Sequence, residues 1–185
     1  MKKNAFLFAL LSAVIFSACT TPSAPTTMRY TLSPLAAENT AAAPAVPFAR
    51  IAVPAYIDTE QIVTRKSENI VILNETRIWA EPLARTIQRT LPVLVSGKLQ
   101  GKKLRDFEKI SVFIDRLDGT LGEAITVSAQ IIVSRLTETA TESESIRFAQ
   151  RIPVPEADDA YAAYAQAIST AVAELAQAVA DQVSE

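Results

Sequence analysis

A chain of 185 residues is long enough for one domain with a real core and short for two. Apolar side chains make up 49% of it, which excludes a disordered tail, and 18 basic against 20 acidic groups provide no basic face for nucleic acid. There is no histidine, so a Ser-His-Asp triad, a Cys-His pair and an imidazole metal site are all excluded. The single cysteine permits no intrachain disulfide, and the four glycines (Gly97, Gly101, Gly119 and Gly122) build no phosphate-cradling loop. No catalytic residue, cofactor or metal is therefore expected, and any ATP the system uses must be bound by another subunit.

Residues 1–18 read as a lipoprotein signal peptide: Lys2 and Lys3 form a positive start, residues 5–16 are apolar but for Ser12, and Ser17 and Ala18 are small. Twelve residues at ~1.5 Å each span roughly 18 Å, too little for a hydrocarbon core of ~30 Å. Phe16-Ser17-Ala18-Cys19 resembles the bacterial lipobox, in which the cysteine is acylated, palmitate among its chains, and becomes the first mature residue. A plain secretory signal beside a stray thiol is the rival reading. Acyl burial contributes ~0.8 kcal/mol per methylene, so two or three chains hold permanently. Thr20, where inner-membrane lipoproteins carry aspartate, points to the outer membrane, facing the periplasm. Without Lys2 and Lys3 the mature part carries 16 basic against 20 acidic groups. Residues 19–27 are small, polar and broken by proline, an acylated and flexible tether, and 28–185 form the domain.

Short strands are predicted over 28–32, 49–53, 61–65 and 70–73, with a mobile Ala/Pro-rich loop over 35–47. Trp79, Leu83, Ile87, Leu91 and Val95 recur every four residues as the core stripe of a helix. Pro82 places its first turn at Trp79 or Ala80, and Pro92 should end or kink it. Ile110, Val112 and Ile114 alternate with exposed neighbours, Asp118-Gly119 is a turn candidate, and Ile125, Val127, Ala129, Ile131 and Val133 share one face of a long strand. A further strand covers 145–152. A helix over about 159–183, N-capped by Asp158, places Tyr161, Tyr164, Ile168, Val172, Leu175, Val179 and Val183 on one stripe, with alanine filling much of the rest. The expected fold is α+β, a mostly antiparallel sheet covered on one face by two helices.

Four motifs occur in order along the mature chain: Tyr30-Thr31-Leu32-Ser33-Pro34; Ile51-Ala52-Val53-Pro54 leading to Tyr56-Ile57-Asp58 and Gln61-Ile62-Val63-Thr64-Arg65; Trp79-Ala80-Glu81-Pro82-Leu83; and the C-terminal helix. Together they resemble the ABC-type transport auxiliary lipoproteins, the PqiC-like family; Ile57 stands where many relatives have leucine. The resemblance implies lipid traffic between two membranes beside an MCE-domain protein and an inner-membrane permease. It makes Tyr30, Pro54, Trp79, Pro82 and Leu83 structural motif positions. Asp58 and Arg65 either pair to fix a loop or, with Tyr56, contact a partner.

From 152 to 185 there is no lysine or arginine but six acidic side chains, so the last helix packs on protein and not on anionic lipid. Lys98, Lys102, Lys103, Arg105 and Lys109 cluster elsewhere, as a solvated loop or a docking patch. The leading expectation is a non-enzymatic subunit acting by protein contacts, a homo-oligomer whose alanine-rich helix packs it into a ring. A lipid or lipopolysaccharide carrier is the second reading, and a Ser-Lys or carboxylate hydrolase the third.

Overall fold

The computed structural model describes residues 25–33, 44–136 and 140–185. The export signal, Cys19, the start of the tether, Pro34 and most of the 35–47 loop lie outside the described residues. In chain order the elements are β1 (Met28–Tyr30), β2 (Phe48–Ala52), a single 3-10 turn (Ala55–Ile57), β3 (Gln61–Ser67), β4 (Ile70–Trp79), α1 (Leu83–Lys98), β5 (Lys109–Gly119), β6 (Ala124–Leu136), β7 (Thr141–Pro153) and α2 (Ala160–Val183).

The fold is α+β, as the periodicities predict, but the strands divide between two sheets. One has the order β1-β4-β3 and the other β2-β5-β6-β7. The hairpins β3–β4, β5–β6 and β6–β7 are antiparallel, whereas β1 joins β4 and β2 joins β5 in parallel. Alternation decides which face of the larger sheet is covered: Ile110, Val112, Ile114, Ile125, Val127, Ala129 and Ile131 are all buried. The face between them, Thr126, Ser128 and Gln130 included, stays half exposed. α2 lies on the covered face and α1 packs beside α2.

Several boundaries differ from expectation: β4 runs on past 73 to Trp79, β7 spans Thr141–Pro153 rather than 145–152, and both helix starts move. Trp79 is the last residue of β4, paired with Tyr30, and α1 begins only at Leu83 with Pro82 as its extended N-cap. The four-residue spacing runs across the junction because strand end and helix face the same core. α1 also continues through Pro92 to Lys98. Pro92 costs one backbone hydrogen bond on a half-exposed flank, while Leu91, Leu94 and Val95 stay buried and hold the helix past it. The N-cap of α2 is Asp159, one residue later than predicted, and its carboxylate accepts from the N–H groups of Tyr161 and Ala162.

Asp118-Gly119 is not a turn. Both residues belong to β5, and the chain reverses over 120–123, where the Glu123 N–H donates to the Thr120 carbonyl and Gly122 takes the left-handed φ of 72°. Gly119 is required by close approach: a Cβ there would stand 2.0 Å from the Ala124 carbonyl oxygen and 2.6 Å from the Ile125 Cα. Only backbone could yield. Gly119→Ala is expected to cost about 2–3 kcal/mol in urea unfolding, and an unchanged midpoint would refute that origin of the glycine.

Candidate functional site

The two sheets meet at a fully buried carboxylate. Asp118, 0% exposed, sits at the end of β5 and accepts four hydrogen bonds. Arg65 on β3 grips it with two prongs, Nε to Oδ1 at 2.7 Å and Nη2 to Oδ2 at 2.6 Å. The Tyr56 hydroxyl, from the 3-10 turn, donates to Oδ2 at 2.6 Å, and Arg116 Nε donates to Oδ1 at 3.0 Å. Burial pushes the Asp118 carboxyl up, but the bonds from Arg65, Tyr56 and Arg116 outweigh it and hold the carboxyl below its ordinary value. Burial and the hydrogen bond to Asp118 push the Tyr56 phenol up to about 12. Next to this cluster the Tyr164 hydroxyl of α2 donates to the Val63 carbonyl at 2.8 Å and accepts the Gly119 N–H at 3.0 Å. Turn, β3, β5 and α2 are thereby fixed to one another.

Of the three residues proposed as partner contacts, the structure brings Tyr56 and Arg65 together and sets Asp58 apart. Arg65 does not pair with Asp58. Its guanidinium is turned inward to Asp118, 53 positions away in sequence, while Asp58 is exposed. Asp58 lies on a groove of about 680 Å³ between β2 and one flank of α1, where Gln88 donates to the Ile51 carbonyl at 3.2 Å. A second groove, about 450 Å³, opens on the other flank of α1 between Tyr30–Ser33, Trp79–Glu81 and the helix side chains Arg89 and Val93. Arg89 caps it by pairing through both terminal nitrogens with Glu81, and hydrogen bonding from Arg89 is the main cause that lowers the Glu81 carboxyl. The motif positions define this end of the molecule. Tyr30 donates its hydroxyl to the Asp159 carboxylate at 3.1 Å, Pro54 opens the 3-10 turn, and Trp79 and Leu83 are buried on either side of Pro82.

Residues 30–180 match the family model described as the ABC-type transport auxiliary lipoprotein component. The chain belongs to this family. A crystal structure of an uncharacterized protein superposes with a TM-score of 0.65 at 18% identity, covering 85% of this chain and 98% of that one. A Xanthomonas campestris protein, XCC0632, of family DUF330, superposes with a TM-score of 0.50 at 18% identity, covering 84% of this chain and 90% of that one. No curated protein matches the chain by sequence.

In this auxiliary lipoprotein the basic cluster and the acidic helix, separate in the sequence, answer one another. Lys98 donates to Gln177 at 3.1 Å, Lys102 stands 3.6 Å from Asp181, Lys103 pairs with Glu185, and the Arg105 backbone N–H donates to the Val183 carbonyl at 2.9 Å. Positive charge thus meets the C-terminal end of α2, where the helix dipole favours it. The cluster is a clamp on the protein's own helix, which leaves little of it for a docking patch. The alanines of α2 are spent in the same way: Ala163, Ala165, Ala167, Ala171, Ala176 and Ala180 are buried within the fold, so they offer no free surface for a ring. Among the described residues no three carboxylate or thiol groups gather as metal ligands, and no helix is long and apolar enough to cross a membrane.

Sequence reasoning missed Asp118 and Arg116. The β-bulge between Ile114 and Arg116 shifts the alternation by one, so that Leu117 and Gly119 stand opposite Val127 and Ile125 on the core face while Asp118, opposite Thr126, turns to the other face, where Arg65 and Tyr56 cover it.

Proposed function

We propose that this auxiliary lipoprotein is a non-enzymatic outer-membrane subunit, anchored through an acylated Cys19 and facing the periplasm, that supports an MCE-type envelope-spanning lipid transport system by protein contacts. The family match over 30–180 carries the reading. Its partners are an MCE-domain protein and the inner-membrane permease of the same system. The packing favours a docking subunit over the second reading, a lipid carrier. Between the helices and the sheets, at Ile57, Trp79, Leu117 and Tyr164, the free space is about 10 Å³. That is barely room for one water and far too little for an acyl chain. Among the described residues every buried side-chain polar atom also has a hydrogen-bond partner within the protein, and none is left aimed at a substrate.

Contact is assigned to the exposed flank of α1 with its two grooves, where Asp58 stands at the rim and is the residue from which to crosslink a partner. Tyr56 and Arg65 serve this surface indirectly, by fixing the turn and β3 beneath it. Self-association into a ring belongs to the same reading, through the outermost strands β2 and β7 of the larger sheet rather than the alanines of α2.

Cys19→Ser tests the anchor. The wild-type protein should incorporate labelled palmitate and stay with outer membranes through a high-salt wash, and the variant should do neither. A variant that still fractionates with the outer membrane removes the lipid from the account.

A further inference from the structure

Six large apolar side chains are exposed among the described residues, and three of them, Ile70, Ile72 and Leu73, fall within four positions of β4. They lie at the free end of the β3–β4 hairpin, whose turn is Glu68-Asn69. Strand alternation puts Ile70 and Ile72 on one face and Leu73, with half-exposed Val71, on the other. The tip is therefore apolar on both sides, with Ile70, Ile72 and Leu73 exposed and Val71 alone of the four touching the core. An exposed apolar patch marks a protein or a membrane contact, and one exposed on both sides of a projecting hairpin tip suits edge-on entry into a bilayer. Exposed Lys66 and Glu68 beside it offset each other and leave no strong charge.

The path of the chain says where this tip points. β1 runs parallel to β4, with Met28 opposite Arg77, and β4 runs away from the hairpin turn. The chain before Met28 thus arrives from the side of the turn. Arg77 is seven residues from Ile70, about 23 Å along the strand. Cys19 is nine residues before Met28, a reach of at most about 30 Å. An extended tether is therefore long enough to bring the anchor to the plane of the hairpin tip, with a few ångströms of slack.

We propose that the β3–β4 hairpin tip is a membrane contact: Ile70, Ile72 and Leu73 enter the interfacial layer of the bilayer that holds the acylated Cys19, edge-on, and so fix the orientation of the domain. The proposal rests on the anchor reading above. A tether alone would let the domain tumble; an anchor and a tip make two points of contact, and α1 with its grooves is then held in a constant attitude to the membrane. Arg65, which binds Asp118 and also donates from Nη1 to the Glu68 carbonyl, braces the hairpin from its base.

The test uses the full-length acylated protein, in which Cys19 has no free thiol and an added cysteine is the only labelling site. Ile72→Cys carries an NBD fluorophore, and the protein is reconstituted into phosphatidylethanolamine–phosphatidylglycerol vesicles with or without acyl-chain doxyl quencher. A tip buried in the upper acyl region should lose roughly half its emission to the quencher. Ile70→Cys, the most exposed of the three positions, should behave alike. Leu136→Cys, at the far end of β6, should be unaffected. Labels at 70 and 72 that remain unquenched while the protein floats with the vesicles overturn the proposal and leave the anchor standing. Quenching at all three positions overturns it as well, since the tip would then not be selected. Burial of the tip labels only on addition of the transporter subunits overturns it in favour of a protein contact. Failure to float at all is a different result, because it removes the anchor itself.

Discussion

Asp118→Ala lowers the stability of the protein by about 3–5 kcal/mol at neutral pH, the range for deleting one partner of a buried ion pair. The size follows from what is left behind. Arg65, its side chain 17% exposed, keeps its charge and loses both acceptors, and the Tyr56 hydroxyl is stranded with it. Arg116 contributes less, because its side chain is 39% exposed and water screens it. Asp118→Asn retains an acceptor but no charge and should cost about 2–3 kcal/mol. The pH dependence has a definite sign. The folded carboxyl lies below its unfolded value near ~3.9. Its contribution is therefore complete above that unfolded value and disappears as the pH falls through the folded one. The gap between wild type and Asp118→Asn should be widest at pH 7 and close in acid. Urea unfolding of both proteins at neutral and acid pH measures it, and a gap that is constant with pH would show that Asp118 acts by shape and not by charge. Because Arg65 also reaches the hairpin turn, the same variant should loosen residues 67–70 in hydrogen exchange before the rest of the sheet.

The larger sheet and the last helix were legible because their signals are local. Period two across Ile110, Val112 and Ile114, and again from Ile125 to Ile131, needs no knowledge of the partner strand. The Asp118 site was illegible for the opposite reason. Its partners lie 53 and 62 positions away, and Asp-Gly carries a local turn signal that outweighs a buried role. The bulge that moves Asp118 off the face of Ile114 and beneath Arg65 and Tyr56 is a property of strand pairing and leaves no mark in the alternation before Ile114. Trp79 failed differently. Its core position is legible, but a strand end and a helix start that share one core produce a single run of spacings. Only the backbone shows that Trp79 belongs to β4 and Leu83 to α1. The basic residues near 98–109 and the acidic ones toward the C-terminus are each legible as charge, but a charge count cannot say that Lys102 meets Asp181 and Lys103 meets Glu185 across about 80 positions.

Trp79→Ala should be as costly as the loss of Asp118, by another route. The indole, 3% exposed, is the wall between the groove at Tyr30–Ser33 and the small internal space beside Leu83, Leu117 and Tyr164. Truncation to alanine removes its packing and joins the two spaces, so water gains a path to the Tyr164 hydroxyl that ties α2 to β3 and β5. Phe/Trp→Ala changes in packed sites cost about 3–5 kcal/mol. Trp79→Phe keeps most of the wall and should lose less than about 1.5 kcal/mol. Trp79 is the chain's single tryptophan, so its emission follows wild-type unfolding without interference, and circular dichroism follows the variants. Two roles for the residue separate here. A tryptophan that served only to line the groove for a ligand could be truncated with stability intact, whereas a wall residue cannot. A Trp79→Ala protein within about 1 kcal/mol of wild type would therefore move Trp79 from the core to the contact surface. The burial on both sides of the indole argues for the wall. The Trp79-Ala80-Glu81-Pro82-Leu83 motif then serves to join β4 rigidly to α1, which presents the grooves.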